Sequence, residues 1–147
     1  MLPTTFQLEV VTPERRVIHA VATEVQVPAR DGYLGILPGH APLLGAMGMG
    51  ELSYREDGQT HYAAVIGGYV EVLAGRVIVL AEAAERAEEI NVERARSAKQ
   101  RAEQSLSMQT SLEDAAATRD TIMRAEVRLK VAAHASGVSV AAAASAH

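Results

Sequence analysis

An all-β front joined to an all-α back, an α+β chain in two parts, is the fold class that the 147-residue sequence predicts. Three observations carry the prediction. All five prolines lie within the first 42 residues, all five aromatics (Phe6, Tyr33, Tyr54, Tyr62, Tyr69) within the first 69, and ten of the eleven glycines within the first 75. After Glu85 only Gly137 interrupts a stretch rich in Ala, Glu, Arg and Gln, which are the stronger helix formers, whereas glycine and proline punctuate turns. Charge divides at the same place: residues 1–85 carry five basic and ten acidic groups, residues 86–147 nine basic and eight acidic. The expected organisation is a β-sandwich over 1–85, a helical hairpin over 86–135 and a flexible tail over 136–147.

In the front part, period-2 segments recur between turn signals. Phe6–Val10 alternates apolar and polar residues, as does Val21–Val27, followed by Glu51–Arg55, Thr60–Ile66, Tyr69–Leu73 and Arg76–Leu80. Glu56-Asp57-Gly58 separates one pair and Ala74-Gly75 another, and glycine there permits the positive φ of short hairpin turns. Many short antiparallel strands with close turns imply a sandwich or flattened barrel.

The back part reads as an antiparallel two-helix hairpin. Ala115, Thr118, Ile122, Ala125, Leu129 and Ala132 follow alternating steps of three and four, a heptad seam. Ala95, Ala98, Ala102 and Ser105 repeat the pattern on the first helix. Asn91 is placed to cap that helix, and Ser111, three residues before Asp114, to cap the second. The polar stretch between Ser105 and Ser111 is the turn. A seam built mostly of alanine buries little area per residue, at ~25 cal/mol per Å² of apolar surface. The hairpin is therefore expected to be thinly held and able to open or dock elsewhere.

Composition narrows the function. A net charge of −4 without a basic tail argues against nucleic-acid binding, and the absence of cysteine removes disulfides, thiolate metal sites and thiol nucleophiles. No apolar run approaches the ~18 residues of a membrane helix, and no signal peptide opens the chain, so a soluble protein is expected unless a partner holds it at a membrane. No phosphate-binding loop or nucleophile elbow occurs. The cluster Gly45–Gly50 lacks a following helix and reads as a turn. His19, His40 and His61 lack the local spacing of zinc ligands, and the carboxylates of the front part are scattered singly. No active site is visible, and no metal is expected.

Two segments say more than composition. In Gly32-Tyr33-Leu34-Gly35-Ile36-Leu37-Pro38-Gly39-His40-Ala41-Pro42-Leu43-Leu44, prolines bracket Gly39 and His40 and set a stiff exposed corner. A preset corner is either a plain turn or a docking element that loses little entropy on binding. In Ile90–Glu103, Arg94, Lys99 and Arg101 follow the Asn91 cap, and Arg124 and Arg128 join them from the second helix. That is either a solvated basic face or a site for an anion or acidic partner, since arginine forks match carboxylates and phosphates.

On these segments the chain resembles the ε subunit family of F-type ATP synthases, called δ in mitochondria. The resemblance covers residues 4–135 and rests on the Gly32–Leu43 run, on Gly67-Gly68-Tyr69-Val70-Glu71-Val72, and on Val77–Glu82 leading into Ile90–Ala102. It implies a non-catalytic central-stalk subunit that couples proton flow to ATP synthesis, peripheral on the cytoplasmic face of the bacterial inner membrane. The sandwich would clamp the γ shaft and rest on the ring of c subunits through a corner holding Asp31, Tyr33 and His40. The hairpin would fold beside the sandwich in one state. In the other it would extend along the shaft, with Arg94, Lys99, Arg101, Arg124 and Arg128 reaching acidic segments of the α and β subunits and inhibiting hydrolysis.

Some bacterial relatives bind ATP on the compact hairpin through Ile/Leu-Asp-x-x-Arg-Ala, which here reads Ile90-Asn91-Val92-Glu93-Arg94-Ala95. Glu85, Arg101, Arg124 and Arg128 match the remaining positions of that site. Asn91 keeps an acceptor oxygen but replaces a carboxylate with a neutral amide. ATP enters this reading as a regulatory ligand and not as a required cofactor. The alternative from the residues alone is a stand-alone β-sandwich ligand-binding module, with His40 or His61 in a shallow pocket and the helices serving dimerisation.

Overall fold

The computed structural model describes residues 2–109 and 111–135, and the chain divides into two compact units, Met1–Arg86 and Ala87–His147. The tail expected at 136–147 lies outside the described residues.

The first unit contains ten strands: β1 (Phe6–Val11), β2 (Arg16–Ala22), β3 (Glu24–Ala29), β4 (Gly32–Ile36), β5 (Leu43–Ala46), β6 (Met49–Glu56), β7 (Gln59–Ile66), β8 (Tyr69–Leu73), β9 (Arg76–Leu80) and β10 (Ala83–Arg86). They form two five-stranded sheets, ordered β2-β1-β9-β8-β5 and β10-β7-β6-β3-β4. Alternation decides which side chains face inward. Phe6, Leu8 and Val10 of β1 meet Val70 and Val72 of β8, Val77 and Val79 of β9, and Val25, Val27, Leu52 and Val65 of the other sheet in one buried core. Each fully buried Val or Leu contributes roughly 1.5–3 kcal/mol relative to exposure.

Three departures from the expected strands have local causes. Val21–Val27 is two strands, not one: the chain bends at Thr23, so β2 belongs to the first sheet and β3 to the second. The Thr23 N–H, lost to either ladder, donates to the Arg55 carbonyl at 2.9 Å. Arg16–Ala20 was not legible as strand because a bulge inserts Val17 opposite the Val10–Val11 step, leaving Val17 and Ile18 both buried and breaking the alternation. The first sheet is also not wholly antiparallel, since β1 runs parallel to β9. Hairpin reasoning fixes only neighbours in sequence, and these two strands meet from opposite ends of the unit.

The turns obey glycine. Asp57 (φ 52°) and Gly58 (φ 77°) both take positive φ, the requirement of the tight hairpin joining β6 to β7. Gly68 (φ 106°) admits no side chain, because a Cβ there would collide with the Leu80 carbonyl oxygen. The cluster read as a plain turn, Gly45–Gly50, is a corner with strand on both sides: Gly45 lies in β5, Gly50 in β6, and only Met47–Gly48 falls between. The open edge of β2 is blunted where the Glu56 carboxylate accepts the Val21 N–H at 3.0 Å.

The second unit starts with a 3-10 turn, Ala87–Glu89, followed by α1 (Val92–Leu106) and α2 (Leu112–Ala135). Asn91 caps α1 as expected, its Oδ1 accepting the Arg94 N–H at 3.0 Å. Ser111 Oγ accepts the Asp114 N–H at 3.4 Å at the start of α2. The helices pack together through the predicted small side chains: Ala95 and Ala102 are buried on α1, Ala115, Ala125 and Ala132 on α2. Val131, which lies off the predicted seam, is fully buried, and the 3-10 turn packs on α2.

Candidate functional site

Arg94, Lys99, Arg101, Arg124 and Arg128, the helix cations grouped from the sequence, do not make one patch. Lys99 points toward α2, with its Nζ 3.8 Å from Glu103 and 3.7 Å from Glu126, so it ties the two helices together. Arg124 donates through Nε to Asp120 at 2.8 Å, and Arg128 is half-buried and engaged as well. Arg94 and Arg101 are exposed; seven residues apart, they share one side of α1. Arg101 lines an open groove of about 350 Å³ between the helices with Ala98, Ala102, Ser105, Thr118 and Thr121. The turn end of this groove is closed by Gln109, whose amide donates to Thr118 Oγ1 at 2.8 Å.

The residues matched to the nucleotide motif divide between the two units. Glu85 lies on β10 in the first, while Ile90, Asn91, Arg94, Ala95, Arg101, Arg124 and Arg128 belong to the second. Ile90 and Ala95 are buried, and the Asn91 oxygen is engaged in its cap. Of the motif-matched residues on the helices, Arg94 and Arg101 are the cations exposed to an anion.

Asp31, Tyr33 and His40 do not form a single corner. Asp31 and Tyr33 sit at the start of β4, beside the β3–β4 turn, with the Tyr33 hydroxyl accepting the Glu51 N–H at 3.3 Å. His40 lies beyond the far end of that strand; Tyr33 to Ile36 alone spans roughly 10 Å at 3.3 Å per residue. The His40 ring holds its own loop, Nδ1 lying 2.7 Å from the Ala41 carbonyl oxygen, and the His40 backbone N–H donates to the Leu37 carbonyl at 3.1 Å, closing a turn. The grouping in sequence came from thirteen contiguous residues that begin with a strand, and that strand carries Tyr33 and His40 apart.

A surface that sequence reasoning did not single out lies on the outer face of the first sheet. Cross-strand partners share a face, so His19, Glu9, Ile78, Glu71 and Leu44 form one row across β2, β1, β9, β8 and β5. Val11, Leu80, Tyr69 and Ala46 form the next, and Gln7, Arg76 and Leu73 flank the other side. Leu44 (69% exposed), Tyr69 (58%) and Leu80 (50%) stand open on this face. The alternation that revealed the strands contained the signal, since Leu73, Leu80 and Tyr69 are apolar residues at outward positions.

Glu9 organises the charges of that face. Its Oε2 accepts from Arg76 at 3.0 Å, while Oε1 lies 3.6 Å from Arg16 and 4.0 Å from His19. The hydrogen bond from Arg76, reinforced by the nearby positive charges, holds the Glu9 carboxyl below the usual glutamate value against a smaller effect of burial. Arg16 lies 3.1 Å from His19 Nδ1 and can only donate, so Nδ1 accepts and the ring proton sits on Nε2.

Among the described residues no catalytic constellation is gathered. The described residues hold no group of three or more potential metal ligands and no helix long and apolar enough to cross a membrane. The crevice that His40 lines offers about 10 Å³, far below the ~300 Å³ of small-molecule pockets. His61 is stacked on Tyr54 with ring centroids 5.1 Å apart.

Comparison with known proteins agrees with this picture. Residues 5–87 match the family model "ATP synthase, Delta/Epsilon chain, beta-sandwich domain", and residues 88–133 match "ATP synthase, Delta/Epsilon chain, long alpha-helix domain". The chain is 50% identical over 132 residues to the ATP synthase epsilon chain of Solibacter usitatus, covering 89% of this chain and 98% of that one. It is 55% identical over 102 residues to that of Koribacter versatilis, 69% of this chain and 72% of the other. Among solved structures, a chain of the Euglena gracilis mitochondrial ATP synthase shares the fold at a TM-score of 0.75 and 18% identity, over 92% of this chain and 83% of its own.

Proposed function

Because the chain belongs to the ATP synthase delta/epsilon chain family, we propose that it is a stalk subunit whose sandwich grips the γ shaft and whose hairpin regulates ATP hydrolysis. It is a non-catalytic subunit of the F-type synthase. The boundary between its two units, after Arg86, falls within a residue of where the two family models meet.

The observation that carries the docking reading is the apolar outer face of the first sheet. Leu44, Tyr69, Leu73 and Leu80 cluster there in water, which suits a surface meant to be covered. We assign this face to the shaft. Contact with the c-subunit ring goes to the β3–β4 turn with Asp31 and exposed Tyr33, and not to His40, whose ring serves its own loop. The protein is then held peripherally at the cytoplasmic face of the bacterial inner membrane through the complex alone.

The regulatory reading rests on the thin seam of the hairpin. Small side chains and the solvent-exposed cross-helix ion pair Lys99–Glu126 help hold α1 to α2, so separating them costs little. Arg94 and Arg101 already face outward, and opening releases Lys99 from Glu126, giving the extended state its cations for acidic segments of the α and β subunits. ATP stabilises the compact state only by its differential affinity for it.

Removing residues 87–147 tests this directly. The truncated chain should bind γ and keep synthesis coupled while its inhibition of hydrolysis by the reconstituted complex disappears. Equal inhibition by truncated and full-length chains would refute the switch.

A further inference from the structure

Around Glu9 the docking face gathers more positive than negative charge. Glu9 is one carboxylate shared by two guanidiniums, Arg16 and Arg76, with His19 beside it. One positive charge is left over. The Glu9 side chain is 14% exposed, while Arg16 and Arg76 remain about half in water. Ile78 adjoins Glu9 on the same row, Leu73 adjoins Arg76 on the next, and Val21 pairs with Gln7 at the edge. The surplus therefore sits against apolar surface. Glu71, the other acid of the face, pairs with Ile78 on β9 and lies diagonally from Arg76, outside the cluster gathered on Glu9.

A partner that covers this face removes water from the guanidiniums. Burying an unbalanced charge beneath an apolar contact is strongly unfavourable, whereas a pair completed across the interface keeps its hydrogen bonds. Glu9 meanwhile holds both arginines in place before the partner arrives, which lowers the ordering cost of recognition. We propose that Arg16 and Arg76, gathered on Glu9 with His19, form the charged rim of the docking face and receive an acidic side chain of the shaft subunit. The apolar rows supply area; the rim sets the register and rejects a shaft that offers a cation there. This rests on the assignment of the first sheet to the shaft.

Association of the full-length chain with the α3β3γ complex, measured across a range of salt, separates the two claims. Arg16→Gln/Arg76→Gln should weaken binding about tenfold or more and flatten its salt dependence. Glu9→Gln keeps both guanidiniums and doubles the surplus, so the salt dependence should steepen. Leu80→Ser probes the face without touching a charge and should also weaken binding. Loss of binding in Leu80→Ser alone, with the arginine variant and Glu9→Gln both matching the natural chain, would overturn the charged rim and leave the face assigned. Unchanged binding in Leu80→Ser and in the arginine variant would overturn the face and the rim together.

Discussion

The sandwich and the hairpin bury side chains of different size. Leu8, Leu52, Ile36 and a set of valines are sealed inside the sandwich, whereas the helices meet mainly through alanines, and Val131 is the largest fully buried side chain among their described residues. Free energy of burial scales with apolar area, so one unit is firmly closed and the other is poised. The difference also explains where polar ties occur. The sandwich core needs none, while the hairpin adds Lys99–Glu126 across its middle and Gln109–Thr118 near its turn. The exposed ion pair contributes about 0–1 kcal/mol and the part-buried hydrogen bond about 0.5–1.5 kcal/mol, enough to choose a register and too little to lock it.

The sharpest way to break this comparison is to hollow out each unit. Leu52→Ala should destabilise the sandwich by about 2–5 kcal/mol in urea denaturation followed by Tyr fluorescence. Ala125→Gly, at the matching depth of the hairpin, should cost only about 1 kcal/mol and leave that transition in place, since every tyrosine lies in the sandwich. Equal costs would mean that the hairpin is held as firmly as the sandwich.

A smaller effect concerns the ligand that would favour the compact hairpin. Asn91→Asp restores the family carboxylate at a position where Asn and Asp cap equally well, so helix stability should hardly change. Calorimetry with ATP should show binding tightened about tenfold, the order of a single charge-assisted contact. Identical heats for the two chains would place the nucleotide response elsewhere than residue 91.

The smallest effect belongs to Glu9 and to the sandwich alone. Its carboxyl is held below the ordinary value of 4.5 in the folded chain, so it adds stability above that pH and loses it as pH falls through the folded value. Glu9→Gln should flatten the acid side of the sandwich's stability profile below about pH 4.5 and leave the helices' far-ultraviolet signal at neutral pH untouched. An unaltered acid limb would mean that the Arg76 contact does not persist in solution.

Much of the fold could be read from residues that act locally. Phe6–Val10, Tyr69–Leu73 and Asp57-Gly58 declare themselves by alternation and by φ, and Asn91 declares its helix by capping. What stayed hidden depends on distant partners. The Val17 bulge scrambles the pattern of β2, the strand Gly32–Ile36 is masked by glycines inside a proline-framed run, and Ala83–Arg86 is too short and small to alternate visibly. The site was harder for the same reason. Arg94 and Lys99 look alike in sequence, yet rotation about the helix leaves one in water and sets the other on Glu126. The Glu9 cluster draws on β1, β2 and β9, and no local pattern joins residues 9, 16, 19 and 76.

The parallel pairing of β1 with β9 has a mechanical meaning. Five successive residue pairs join the strand that begins the sandwich to the one that nearly completes it. A tug arriving through the helices and resisted at the start of the chain runs along those strands in opposite senses. Their hydrogen bonds then bear the tension side by side, as rivets in a lap joint do, instead of parting one after another like a zip. A stalk subunit gains its toughness from that seam.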